Sequence, residues 1–139
     1  MRKPSIWYWI ICVLGLLWNF GGAYDYLMTV TENEAYLSQI PAETLDYYMN
    51  LPGWLVWPWA IAVWGGVLGW LLMLLRSRFA IPVFIASLVG MLVNFIYWIP
   101  TGGFALMPSF AIVMTVMIIA GAVFAIWFAR RARANGTLR

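Results

Sequence analysis

The sequence predicts an all-α membrane protein, a four-transmembrane-helix bundle, and three observations predict it. Of the 139 residues, 65% are hydrophobic and only 9% are charged, whereas a soluble domain carries about a quarter charged residues. Four apolar stretches, Ile6 to Ala23, Gly53 to Leu75, Phe79 to Ile99 and Phe110 to Ala129, each reach roughly the 20 residues that a helix needs to cross about 30 Å of hydrocarbon. None holds a Lys, Arg, Asp or Glu, each of which costs about 2.5 to 3.5 kcal/mol at mid-bilayer. The charges left over are sorted by side. Arg2, Lys3, Arg76, Arg78, Arg130, Arg131, Arg133 and Arg139 flank one set of ends, and Asp25, Glu32, Glu34, Glu43 and Asp46 lie at the other. The positive-inside rule then places both termini in the cytoplasm.

The elements follow in chain order as a single integral membrane domain over 1–139. The first span, about 6–26, carries Trp7, Tyr8 and Trp9 at its inner edge and Tyr24 and Tyr26 at its outer edge, the half-wet layers that amphipathic rings favour. A cleavable signal peptide is the competing reading of this segment, but Trp18 and Asn19 suit a retained span better than an h-region. Cys12 falls inside it as a small apolar packing residue.

The outer connection, about 28–51, is partly helical. Thr31-Glu32-Asn33-Glu34 fits a capping box starting a short helix to about Gln39. Pro41 suits the first position of another, with Leu45, Tyr48 and Met49 forming its apolar face. These short amphipathic helices carry four carboxylates, read as either a solvated acidic cap or a vestibule for cations.

The second span, about 53–75, starts between Pro52 and Pro58, and Pro58 is expected to bend it. The third, about 79–99, ends in an uncharged loop with Pro100, Gly102, Gly103 and Pro108, expected to hug the interface or to pack beneath the larger connection. The fourth, about 108–129, precedes a basic cytoplasmic tail, 130–139. Trp54, Trp57, Trp59, Tyr97 and Trp98 join the outer belt and Trp127 the inner one, whereas Trp18 and Trp64 fall well inside the hydrocarbon.

The first and third spans align at an offset of 75: Lys3 with Arg78, and Gly15-Leu16-Leu17-Trp18-Asn19-Phe20 with Gly90-Met91-Leu92-Val93-Asn94-Phe95. The Gly and Asn in common register carry the match. It points to two tandem parallel helical hairpins, an internal repeat of the kind that places sites at repeat interfaces in transporters; a hairpin duplicated for stability alone is the alternative.

Asn19 and Asn94 each lie 16 residues past their basic anchor, about 24 Å along a helix. Lipid satisfies neither amide, so both are expected to turn inward. Gly15, Gly22 and Tyr26 share the face of Asn19, and Ser87, Gly90 and Trp98 share that of Asn94. Gly65 and Gly69 form a GxxxG pair on the second span, where Gly66 adds to the small face; Ala111, Thr115, Ala122 and Ala125 line the fourth. Two readings stand. Asn19 bonds Asn94 as interhelical glue, with Gly15, Gly22, Gly65, Gly69 and Gly90 setting helix spacing. In the other, Asn19, Asn94, Tyr26, Tyr97, Trp18, Trp64 and Trp98, with Asp25 nearby, wall a binding pocket open to the outside.

With no histidine and one cysteine, the chain lacks a zinc set, an imidazole base or an internal disulfide, so neither an enzyme, a metal nor a cofactor is expected. A net charge of +3 is too small for nucleic acid.

The run Leu17-Trp18-Asn19-Phe20-Gly21-Gly22-Ala23-Tyr24-Asp25-Tyr26-Leu27-Met28-Thr29, then Asn33-Glu34-Ala35-Tyr36-Leu37, then Trp59-Ala60-Ile61-Ala62-Val63-Trp64-Gly65-Gly66-Val67-Leu68-Gly69, resembles a family of small four-helix inner-membrane proteins of Gram-negative bacteria. That family often carries the label sugar transporter, and the resemblance extends to about Tyr97. It implies the inner membrane and a sugar-like solute. Small multidrug exporters have similar length but use a buried Glu in their first helix, which this chain lacks; membrane thiol oxidoreductases need paired cysteines. The expectation is therefore a multi-pass inner-membrane protein that binds or transports a small neutral polar solute such as a sugar. The alternative is a non-catalytic accessory subunit docking in a larger membrane complex. The lipid bilayer is its first partner, and a homo-oligomer or larger assembly is expected in either case.

Overall fold

Ser5 starts the first span by accepting the Tyr8 N–H on its side chain at 3.4 Å, one of the free donors of a helix start. The computed structural model describes residues 3–106 and 109–138. The expectations on Arg2, Pro108 and Arg139, and on the side chain of Ala111, lie outside the described residues. Among the described residues six helices follow in order: α1 (Ile6–Val30), α2 (Glu34–Leu37), α3 (Ala42–Met49), α4 (Val56–Leu74), α5 (Ala80–Thr101) and α6 (Ser109–Ala134). Single 3-10 turns at Gly53–Leu55 and Phe104–Leu106 lead into α4 and follow α5. Four helices, Ile6–Val30, Gly53–Leu74, Ala80–Thr101 and Ile112–Ala134, are long and apolar enough to cross a membrane. The protein is an all-α membrane bundle.

The spans outrun their apolar cores. α1 continues four residues past Tyr26, and α6 continues through Arg130, Arg131 and Arg133, so the basic tail is largely helix. After Gly136, in the left-handed region at φ +77°, the chain folds back, and Thr137 and Leu138 are buried. The Thr137 carbonyl accepts from Arg76 Nε at 3.0 Å, which ties the end of α6 to the α4–α5 turn.

Packing follows chain order: α1 against α4, α4 against α5, α5 against α6. The α4–α5 contact is the tightest because glycines leave room for it. Cβ atoms added at Gly65, Gly69 and Gly90 would come within 3.0 Å of Ser87 Cβ, 2.3 Å of the Phe84 ring and 2.6 Å of the Pro58 carbonyl oxygen. Ser87 Oγ donates to the Ala62 carbonyl at 2.6 Å across this seam. Such contacts carry helix association in lipid, where burial of apolar surface supplies no drive. Pro58 falls in the first turn of α4, where its missing N–H removes no hydrogen bond within α4.

The core sits toward the basic end. Tyr8, Cys12, Trp70, Met73, Phe84 and Ala129 are buried together there. Tyr8 hydroxyl donates to the Met73 carbonyl at 2.5 Å, and its ring stacks on Phe128 at 5.7 Å between centroids, bringing α1 to both α4 and α6.

At the acidic end, the expected capping box is not used as such. Thr31 ends α1, its hydroxyl donating to the Leu27 carbonyl, and Asn33 caps α2 by accepting the Tyr36 N–H at 3.0 Å. The face of α3 is also shifted: Thr44 is buried and Met49 is exposed. Thr44 Oγ1 donates to the Leu106 carbonyl at 3.3 Å, and Tyr47 hydroxyl meets Thr101 Oγ1 at 2.5 Å. The uncharged second connection thus packs beneath the first.

Candidate functional site

Asn19 sits on the face of α1 that meets α4. Its Nδ2 donates to the Gly15 carbonyl one turn back at 2.8 Å, and its oxygen lies against Gly66, where an added Cβ would come within 2.1 Å of it. Asn94 repeats the local motif, donating to the Gly90 carbonyl at 3.1 Å. The two amides make no bond to each other, so the expected Asn19–Asn94 glue is corrected to two amides that each donate within their own helix. The cause is topological: α4 packs on both α1 and α5 and stands between them.

Asn19 borders a crevice of about 400 Å³ midway along α1 and α6, beyond their Tyr8–Phe128 contact. Leu14, Gly15 and Trp18 form one wall and Met117, Gly121 and Ala122 the other; Gly66, Trp70, Phe84 and Ser87 form the floor. Trp18, 42% exposed, points its Nε1 toward Gly121. Polar groups are few, and two are already engaged: Ser87 hydroxyl with Ala62, Asn19 Nδ2 with Gly15.

The remaining candidates lie elsewhere. Tyr26 meets Trp59 and Trp64 edge-on at 4.9 and 6.0 Å on the α1–α4 flank, where Trp64 is 39% exposed. Tyr97 meets Trp54 at 6.1 Å, and Trp98 lies under Tyr47 and Tyr48 of α3 at 5.8 and 5.6 Å. Asp25 accepts the Tyr36 hydroxyl and so ties α2 to α1. Burial, then the Asp25 hydrogen bond and charge, holds the Tyr36 phenol above the ordinary tyrosine range; burial, then Asp25, does the same to Tyr48. Of the eight residues expected around one pocket, only Trp18 and Asn19 line the crevice.

Gly15, Gly65, Gly69 and Gly90 all sit at helix contacts, with the Trp70 ring over Gly15. Gly22 does not, since an added Cβ there would meet nothing within 4 Å. Sequence reasoning missed Gly121, a glycine midway along α6 whose position was the available signal. Among the described residues no three His, Cys, Asp or Glu side chains come together. No family model, no curated protein and no solved structure matches this chain.

Proposed function

We propose that this integral membrane protein is a non-catalytic docking subunit of the bacterial inner membrane, both termini cytoplasmic, whose α1–α6 crevice receives side chains from a partner's transmembrane helix. The observation that carries the reading is the crevice itself. It lies midway along two spans, between α1 and α6, and is walled by Gly121 and Ala122 among apolar side chains, with Gly15 beneath the Trp70 ring. Small residues at such a seam let a second helix approach closely. The orientation rests on the sorting of arginines from carboxylates, and the bacterial inner membrane on the family resemblance of the sequence.

A sugar fits this lining less well. Each hydroxyl left without a partner in an apolar site costs about 1 to 3 kcal/mol, and Asn94, Tyr26 and Tyr97 are not there to help. The partner is a second copy or a different membrane protein, and the mass of the assembly distinguishes the two. Gly121→Leu fills the crevice from the α6 wall. Light scattering in mild detergent is expected to show the wild type in an assembly and the variant as a single chain with unchanged helical content. An assembly that survives Gly121→Leu, or a wild type already single, overturns the reading.

A further inference from the structure

A second groove lies on the opposite side of α6, near its basic end, with a volume of about 520 Å³. Leu88 of α5 forms one wall; Val123, Ile126, Trp127, Arg130 and Arg131 of α6 form the rest. We infer that this groove binds one anionic phospholipid, its phosphate held between Arg130 and Arg131 and one acyl chain laid along Leu88, Val123 and Ile126.

Charge and geometry agree on the occupant. Every acidic side chain of the sequence lies toward the other end, so no Asp or Glu competes for these two guanidinium groups. Both arginines stand on continuous helix, since α6 runs to Ala134, so their spacing is set by the backbone. Arg131 lies over the Trp127 ring, 5.5 Å from guanidinium carbon to centroid, which fixes its plane while its N–H edge suits two phosphate oxygens. Trp127 is itself 53% exposed, at the depth where indoles meet headgroups. From Arg131 to Val123 the groove descends eight residues, about 12 Å, passing from headgroup level into the acyl region. A soluble anion would use the arginines and leave the apolar half empty; a lipid uses both. Basic pockets between spans on this side of a membrane are suited to such headgroups.

The test uses the full chain, delipidated in detergent and titrated with phosphatidylglycerol, phosphatidylcholine or soluble glycerol phosphate, read by thermal shift and by native mass spectrometry. Wild type is expected to bind phosphatidylglycerol about thirty-fold more tightly than phosphatidylcholine, the effect of two arginines near a headgroup. Arg130→Gln with Arg131→Gln is expected to abolish that preference. Arg78→Gln with Arg133→Gln, the same change in net charge outside the groove, is expected to keep it. Val123→Trp, at an exposed position, fills the acyl half and is expected to lose phosphatidylglycerol while folding normally. The inference is overturned if both arginine pairs matter equally, if Val123→Trp binds as wild type does, or if glycerol phosphate displaces the lipid at equal concentration.

Discussion

The α4–α5 seam and the α1–α6 seam draw on the same small residues and end up opposite. Between α4 and α5, each glycine faces something that fills it: Gly65 takes Ser87, Gly69 takes the Phe84 ring, and Gly90 takes the backbone of Pro58. Between α1 and α6, Gly121 faces only the edge of Trp18, and the two helices meet through Tyr8 and Phe128 near the basic end. A small residue in a membrane helix permits close approach; the residue opposite decides whether the approach happens. Where the facing residue fills the gap the seam closes, and where it does not a crevice remains. The second case is the basis for reading α1 and α6 as a docking face.

The largest test of this contrast is Gly90→Leu. Its Cβ would lie 2.6 Å from the Pro58 carbonyl oxygen and 3.1 Å from the Ala62 nitrogen, backbone atoms that no rotamer change can move aside. Overpacking of this kind costs typically about 1 to 3 kcal/mol, and the expected loss lies at the upper end of that range. Thermal unfolding in detergent measures it, and a silent variant would show that α4 and α5 do not touch so closely. Next come the hydrogen bonds. Ser87→Ala removes the bond to Ala62, and Tyr8→Phe the bond to Met73; each is expected to cost about 0.6 to 1.5 kcal/mol. A larger loss for Tyr8→Phe than for Ser87→Ala would mean that the basic-end junction, rather than α4–α5, is the bundle's main fastening.

The four spans were legible in the sequence because apolar length is a local property, and α4, α5 and the start of α1 fall within a few residues of expectation. The site was less legible because it depends on neighbours. Asn19 and Asn94 lie equally far from their basic anchors in sequence and on faces shared with small residues, yet register and face do not say which helix stands opposite. α4 took both places, through Gly66 for Asn19 and through Pro58 beside Gly90, the carbonyl partner of Asn94. The capping pattern failed for a similar reason. Thr31 and Asn33 both suit a helix end, and α1 running on to Val30 used Thr31 to close itself. Gly22 was indistinguishable in sequence from Gly15, and only the Trp70 ring over Gly15 separates them.

The acidic cap offers a smaller effect, set by pH. Burial and Asp25 raise the Tyr36 phenol, so the folded cap favours its neutral form. That contribution is complete below about pH 10, the ordinary tyrosine value, and is lost as pH rises through the higher folded-state value. Protease cleavage between α1 and α3 is expected to rise with alkalinity above about pH 10 in wild type. Tyr36→Phe is expected to be cleaved already at neutral pH and to keep only the part of that dependence that Tyr48, raised by burial and Asp25, supplies. The spans should stay intact, since α2 rests on α1 and on neither hydrogen-bonded seam.

The smallest expected effect is the most informative. Gly121→Leu adds a large side chain to a helix contact region, as Gly90→Leu does, but its Cβ would find only Trp18 Nε1, at 3.8 Å. An unfilled crevice accepts the added atoms, and leucine favours helix over glycine by up to about 1 kcal/mol, so the isolated chain should be unchanged or slightly more stable. Thermal unfolding of the single chain in strong detergent, where partners are stripped, measures this. If Gly121→Leu destabilises the isolated chain as Gly90→Leu does, α1 and α6 close on each other without a partner, and the difference between the two seams disappears. If it is silent there and still breaks the assembly in mild detergent, the crevice is a surface meant for another molecule.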